Sequence, residues 1–149
     1  MNEHSKPIRL AAQALRAGID DNWPSASRYV QRINDECGPD SLPYALMAWC
    51  DALADHATDG EPVTDQVRVA PMAYETGQIG GDVPPRIRWG NAVVKARAEM
   101  DQAAFTALVN ELNTIPDAAV RGSYVGAVLE AAALSIRAFP RGYTRMGGN

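Results

Sequence analysis

Apolar residues recur at helical spacing along most of this chain, and that periodicity predicts its elements. Ile8, Ala11, Ala12, Leu15 and Ile19 share one face of a helix opening near Lys6 or Pro7, with Ser5 as its cap. Gly18 and Asp20-Asp21 mark its end. Asn22 is placed to cap a second helix, with Pro24 in the opening turn and Ala26, Tyr29, Val30, Ile33 and Cys37 as its stripe. Gly38-Pro39 stops it, a glycine followed by a residue that cannot continue a helix. A third helix starts at Asp40 or Ser41 and lines up Leu42, Ala45, Leu46, Trp49, Leu53 and Ala57. Pro43 is tolerated there because first-turn N–H groups lack helical partners anyway.

Residues 58–85 break the pattern with Gly60, Pro62, Pro71, Gly77, Gly80, Gly81, Pro84 and Pro85. Gln66-Val67-Arg68-Val69 alternates with the period of a strand, which predicts a short hairpin or extended arm, confined to an edge by Pro71. Val67, Val69, Met72, Tyr74 and Ile79 are its expected contacts, because an isolated hairpin cannot bury them alone and must dock. The helical period then resumes through Ile87, Gly90, Val93, Val94 and Ala98. Asp101 caps a fifth helix with Phe105, Leu108, Val109 and Leu112 on one side, and Pro116-Asp117 precedes a sixth. From Tyr124 to Ile136 only Glu130 and Ser135 are clearly polar, which predicts a helix surrounded by others. Gly122 and Gly126, four residues apart, predict close approach by another backbone.

Residues 8–34 echo residues 87–113 at a constant offset of 79. Ile8/Ile87, Arg9/Arg88, Ala17/Ala96, Val30/Val109 and Asn34/Asn113 are identical, and the caps Asn22 and Asp101 coincide. Ten of the 27 pairs are apolar in both copies, where composition alone gives roughly six. The fold expected is therefore all-α, a six-helix bundle of two duplicated three-helix units, about 6–58 and about 86–139, joined by the 59–85 arm and ending in a 140–149 tail. At 149 residues, 46% hydrophobic and 21% charged, this is one domain with a core that needs no disulfide or metal. Cys37 beside the turn and Cys50 about nine residues up the next helix lie about 13 Å apart, too far for a disulfide, so both are expected free. No apolar run approaches about 18 residues and the first residues lack a signal-peptide core; a cytoplasmic protein without a membrane role is expected.

Charge changes the picture more than composition does. Residues 1–60 carry nine acids against five bases, whereas residues 86–149 carry eight bases against five acids. Arg86, Arg88, Lys95 and Arg97 form one basic cluster, placed opposite Ile87, Gly90 and Val94. Arg137, Phe139, Arg141, Tyr143 and Arg145 form a second, in which arginines alternate with aromatics suited to phosphates, stacked bases or an acidic protein surface. These nine residues are the candidate partner-binding set.

No catalytic constellation emerges. Cys50 and His56 are six residues apart, about 240° net around a helix, which separates nucleophile from base. Asp51 and Asp55 share a face and could divide acid and base roles only if burial drove their pKa values apart. The histidines, His4 and His56, have no second imidazole or thiolate at metal-ligand spacing, and no phosphate-binding glycine loop is present, so no cofactor is expected. Ser25–Asn34 resembles the recognition helix of helix-turn-helix proteins, with Ala14 and Gly18 at that motif's small-residue spacing. The resemblance covers about twenty residues; Pro24 and Ser27 stand where it wants apolar side chains, and Asp20-Asp21 would face phosphates. The reading that results is a non-enzymatic helical protein that binds another protein or a second copy of itself. The alternative is an accessory or regulatory protein touching nucleic acid through its basic C-terminal half.

Overall fold

The structure is a computed structural model that describes residues 5–59 and 84–142. Those residues form α1 (Ser5–Ile19), α2 (Trp23–Arg32), α3 (Leu42–Thr58), α4 (Pro85–Ala98), α5 (Gln102–Asn113) and α6 (Ala118–Ala138), and among them there is no strand. The all-α expectation holds. The expected arm contacts Val67, Val69, Met72, Tyr74 and Ile79 lie outside the described residues, as do Tyr143 and Arg145 of the tail.

Three helix starts, those of α2, α5 and α6, fall where the capping chemistry puts them, whereas Ser5, expected as a cap, is the first residue of α1, and Ser41 and Pro84 precede α3 and α4 without a side-chain cap. Asn22 accepts from the Ser25 N–H at 3.3 Å, Asp101 from Ala104 at 3.1 Å and Asp117 from Ala119 at 2.8 Å, each satisfying a donor the helix itself cannot. α2 differs from expectation at its other end. Its path widens into a π-helical turn, Ile33–Cys37, before Gly38 at φ +88° breaks it, and a single 3-10 turn, Pro39–Ser41, leads into α3.

One core draws on all six helices, with Leu10, Ala26, Trp49, Val93, Phe105 and Val128 among its members. α1 packs on α3 and α6, α4 packs on α6 and α3, and α3 packs on α6; α2 lies against α1 and α5 against α4. The central placement of α6 follows. By length and composition α6 could also cross a membrane, but Val125, Val128, Leu129, Ala132 and Ala133 are part of the shared core. Two buried indoles tie helices together: Trp49 Nε1 donates to the Ala11 carbonyl at 2.9 Å, and Trp89 Nε1 to that of Leu108 at 3.0 Å.

Two expectations about small residues are corrected. The buried face of α1 is Pro7, Leu10, Ala11, Ala14, Leu15 and Gly18, while Ala12 is exposed and Ile8 is 43% exposed. At Gly18 an added Cβ would sit 3.1 Å from both Ala133 and the Trp23 ring, so closeness of approach, more than side-chain hydrophobicity, orients this helix. Gly122 and Gly126 are the reverse case: nothing lies within 4 Å of where a Cβ would be, and no backbone approaches them.

The turns joining α1 to α2 and α4 to α5 match bond for bond at the offset of 79. The Asp20 N–H donates to Arg16 O at 3.0 Å, and Glu99 to Lys95 O at 2.9 Å. Asp21 donates to Gly18 O at 3.0 Å, and Met100 to Arg97 O at 3.1 Å; Asn22 donates to Ala17 O and Asp101 to Ala96 O, both at 2.8 Å. Asp21 and Met100 are both left-handed, with φ of 61° and 58°. The left-handed residue of the turn is Asp21, while Gly18 lies within α1, which differs from the placement of Gly18 in the turn of a helix-turn-helix.

Candidate functional site

Acidic residues of α3, its C-cap and the α1–α2 turn pair at the surface with arginines of α4, α6 and the segment just after α6. Asp51, on the outer side of α3, receives Arg97 of α4 in a two-pronged pair, Nε to Oδ1 at 2.8 Å and Nη2 to Oδ2 at 3.0 Å. This fork geometry matches guanidinium to carboxylate and raises the Arg97 pKa, chiefly through the bond to Asp51. Arg141, just beyond α6, reaches Asp59 at 2.5 Å and Asp55 at 2.9 Å. Arg137 lies 3.3 Å from Asp21, which also accepts from Trp23 Nε1.

The candidate partner-binding set is thus divided. Arg97, Arg137 and Arg141 face carboxylates of their own chain rather than a free surface. Phe139 is half-buried and its carbonyl lies 2.7 Å from His56 Nε2. Arg86, Arg88 and Lys95 remain on α4, with Arg86 half-buried and the other two exposed. They do not make one basic face with Arg97. Residues seven apart, Arg88 and Lys95, share a side; residues eleven apart, Arg86 and Arg97, share another, about 200° away.

Asp51 and Asp55 are exposed and each is engaged by an arginine. Cys50 is 2% exposed, and burial, aided by the neighbouring Asp51 charge, pushes its thiol up to about 12. A thiol held protonated at neutral pH is no nucleophile. His56 is directed at Phe139, and the Gly142 N–H donates to the His56 carbonyl at 2.6 Å, so α3 and the chain end are strapped together here. Both cysteines are free, as spacing predicts.

An open cleft of about 570 Å³ lies between the start of α1, the π-turn and the start of α3, lined by Lys6, Glu36, Cys37, Asp40, Ser41 and Tyr44. Its charges are largely internally matched. Glu36 accepts from Arg32 at 2.7 Å and pairs with Lys6 at 2.9 Å, and these bonds, Arg32's first, lower its pKa to about 2. Among the described residues no group of three or more His, Cys, Asp or Glu side chains converges to hold a metal.

One feature escaped the sequence reading. Met100, left-handed and 83% exposed, is the most exposed large apolar side chain among the described residues. Its only signal in the sequence is its alignment with Asp21. On the outward side of α5 the stripe Gln102, Ala103, Thr106, Ala107 and Asn110 carries no charge, with the exposed acids Glu99, Asp101 and Glu111 at its edges, and Val120 near the start of α6 is 41% exposed. Comparison with protein-family models, with curated proteins and with solved structures finds no match to this chain.

Proposed function

We propose that this chain is a non-enzymatic helical scaffold that works by binding protein, and that the turn at Met100 with the outer face of α5 makes the contact. Met100 carries the reading. An L-residue in the left-handed region costs about 1 kcal/mol relative to glycine, and an exposed thioether forgoes burial as well. The equivalent Asp21 repays that cost with its bonds to Trp23 and Arg137, whereas an 83% exposed Met100 gains little from its own fold. Methionine is enriched at protein interfaces and adapts to varied partner surfaces; interface centres are poor in charge and their rims polar, and the uncharged stripe of α5 with Glu99, Asp101 and Glu111 at its edges has that arrangement. Duplication belongs to the same proposal: matched turns and matched helix pairings support two copies of one three-helix unit, the second diverged at its turn and outer helix.

The nucleic-acid alternative loses support, because Arg97, Arg137 and Arg141 already face carboxylates. The discriminating experiment uses Met100→Gly and a photo-crosslinking residue at position 100. Met100→Gly should raise stability by about 1 kcal/mol in urea unfolding. The crosslinker, in cells expressing the chain, should trap a discrete protein adduct, either a second copy or another polypeptide. A control crosslinker at Arg16 should trap none. Absence of an adduct at position 100, or a Met100→Gly variant no more stable than the parent, would sink the proposal.

A further inference from the structure

We propose that residues 5–59 and 84–142 recognise each other through a directional charge code, acid on the first and arginine on the second. The surface of the first unit then fits the second unit of another copy of this chain as well as its own. The observation is the sign pattern. Arg97–Asp51, Arg137–Asp21 and Arg141 to Asp55 and Asp59 all run the same way, with the carboxylate before residue 60 and the guanidinium after residue 84. The pairs confined to the first unit, Lys6–Glu36, Arg16–Asp20 and Arg32–Glu36, show no such division. The whole units follow the rule: residues 5–59 hold five bases against eight acids, net −3, and residues 84–142 hold seven against five, net +2.

A duplicated chain needs such a code. The apolar faces cross alike in both units, because α1 packs on α3 and α6 as α4 packs on α6 and α3. Hydrophobic burial has no direction and would not by itself distinguish first-on-second from first-on-first pairing. The charges do. First-on-first pairing loses all three arginines from Asp21, Asp51, Asp55 and Asp59; second-on-second pairing loses all four of these carboxylates from Arg97, Arg137 and Arg141. Their side chains are 30–61% exposed, so these pairs set which surfaces match more than how tightly they hold. The 24 residues from Gly60 to Val83 can span at most about 80 Å, enough to let units exchange between chains. Tethering makes closure within one chain the favoured outcome until it is spoiled.

Two full-length variants test this independently of Met100. D51R/D55R/D59N sets base against Arg97 and Arg141 and removes the remaining carboxylate from Arg141, and R97D/R141D sets acid against Asp51, Asp55 and Asp59, so each chain opposes its own closure. Unfolded together and refolded, they should form a 1:1 heterodimer at twice the 16.0 kDa of one chain, seen by native mass spectrometry. In it every reversed residue meets its opposite, and D59N leaves no carboxylate against the acid that R141D introduces. Each variant refolded alone should not form that species. Should a single variant fail to fold, the five-fold chain D51R/D55R/D59N/R97D/R141D restores opposite signs with reversed polarity. It should recover a melting midpoint above both parents. No heterodimer from folded parents, or no recovery in the five-fold chain, overturns the proposal.

Discussion

Two cations set the ionisation of Glu36. Arg32 lies one helical turn before it, and Lys6 arrives from α1, so two cations hold one exposed carboxylate. Its pKa in the folded chain is about 2, below its ordinary value of 4.5. A depressed carboxylate contributes stability that is fully present above the ordinary value and is lost as pH falls towards the folded one. Between pH 4.5 and about 2 this contribution should fade. Glu36→Gln should therefore be less stable than the parent at pH 7, with the difference narrowing on acidification through that window, as followed by urea midpoints at each pH. A constant difference from pH 7 to pH 2 would mean that the pair contributes by packing rather than by charge. Cys50 is the counterpart within the core, where burial moves the thiol in the opposite direction and leaves it inert.

At the level of elements, the two helix–helix turns invite a comparison that a single turn cannot. Asn22 and Asp101 each accept one N–H three residues on, in the same backbone setting and 79 residues apart. Removing such a cap costs about 1 kcal/mol. Asn22→Ala and Asp101→Ala should each lower stability by about that amount in urea unfolding, and the two effects should add because the sites are independent. A cost at one turn and none at the other would deny the equivalence of the turns. These caps are legible in the sequence because capping is local: the residue type and the periodic stripe, with Pro24 in the opening turn after Asn22, lie within a few positions. The α1 face was misjudged for a reason equally physical. Its orientation follows the crossing at Gly18, where Ala133 and Trp23 approach: Ala133 is 115 residues away, and Trp23, though only five residues on, folds back across the turn, outside the helical period. Gly122 and Gly126 carried the opposite error, since small residues permit close approach without requiring it.

At the level of the whole molecule, the uneven charge was visible in the sequence but its target was not. Asp51 and Arg97 are 46 residues apart and Asp55 and Arg141 are 86 apart, so only the packed bundle brings them together. An asymmetry that suggested an external partner is in large part answered inside the chain. The same packing joins both units into one core, and its consequence is cooperativity: Trp49 of α3 and Val128 of α6 are both fully buried in one cluster. Units with separate cores would melt separately, whereas a shared core couples them into one transition. Val128→Ala should cost about 2 kcal/mol by leaving a cavity in the second unit. In a W23F/W89F background Trp49 is the sole indole, and it reports from the first unit. Its fluorescence midpoint in urea should fall with Val128→Ala by as much as the midpoint from circular dichroism. A Trp49 midpoint that stays put while the helical signal shifts would show that the halves unfold independently. The two units would then be joined by their surface charges but not by a common interior.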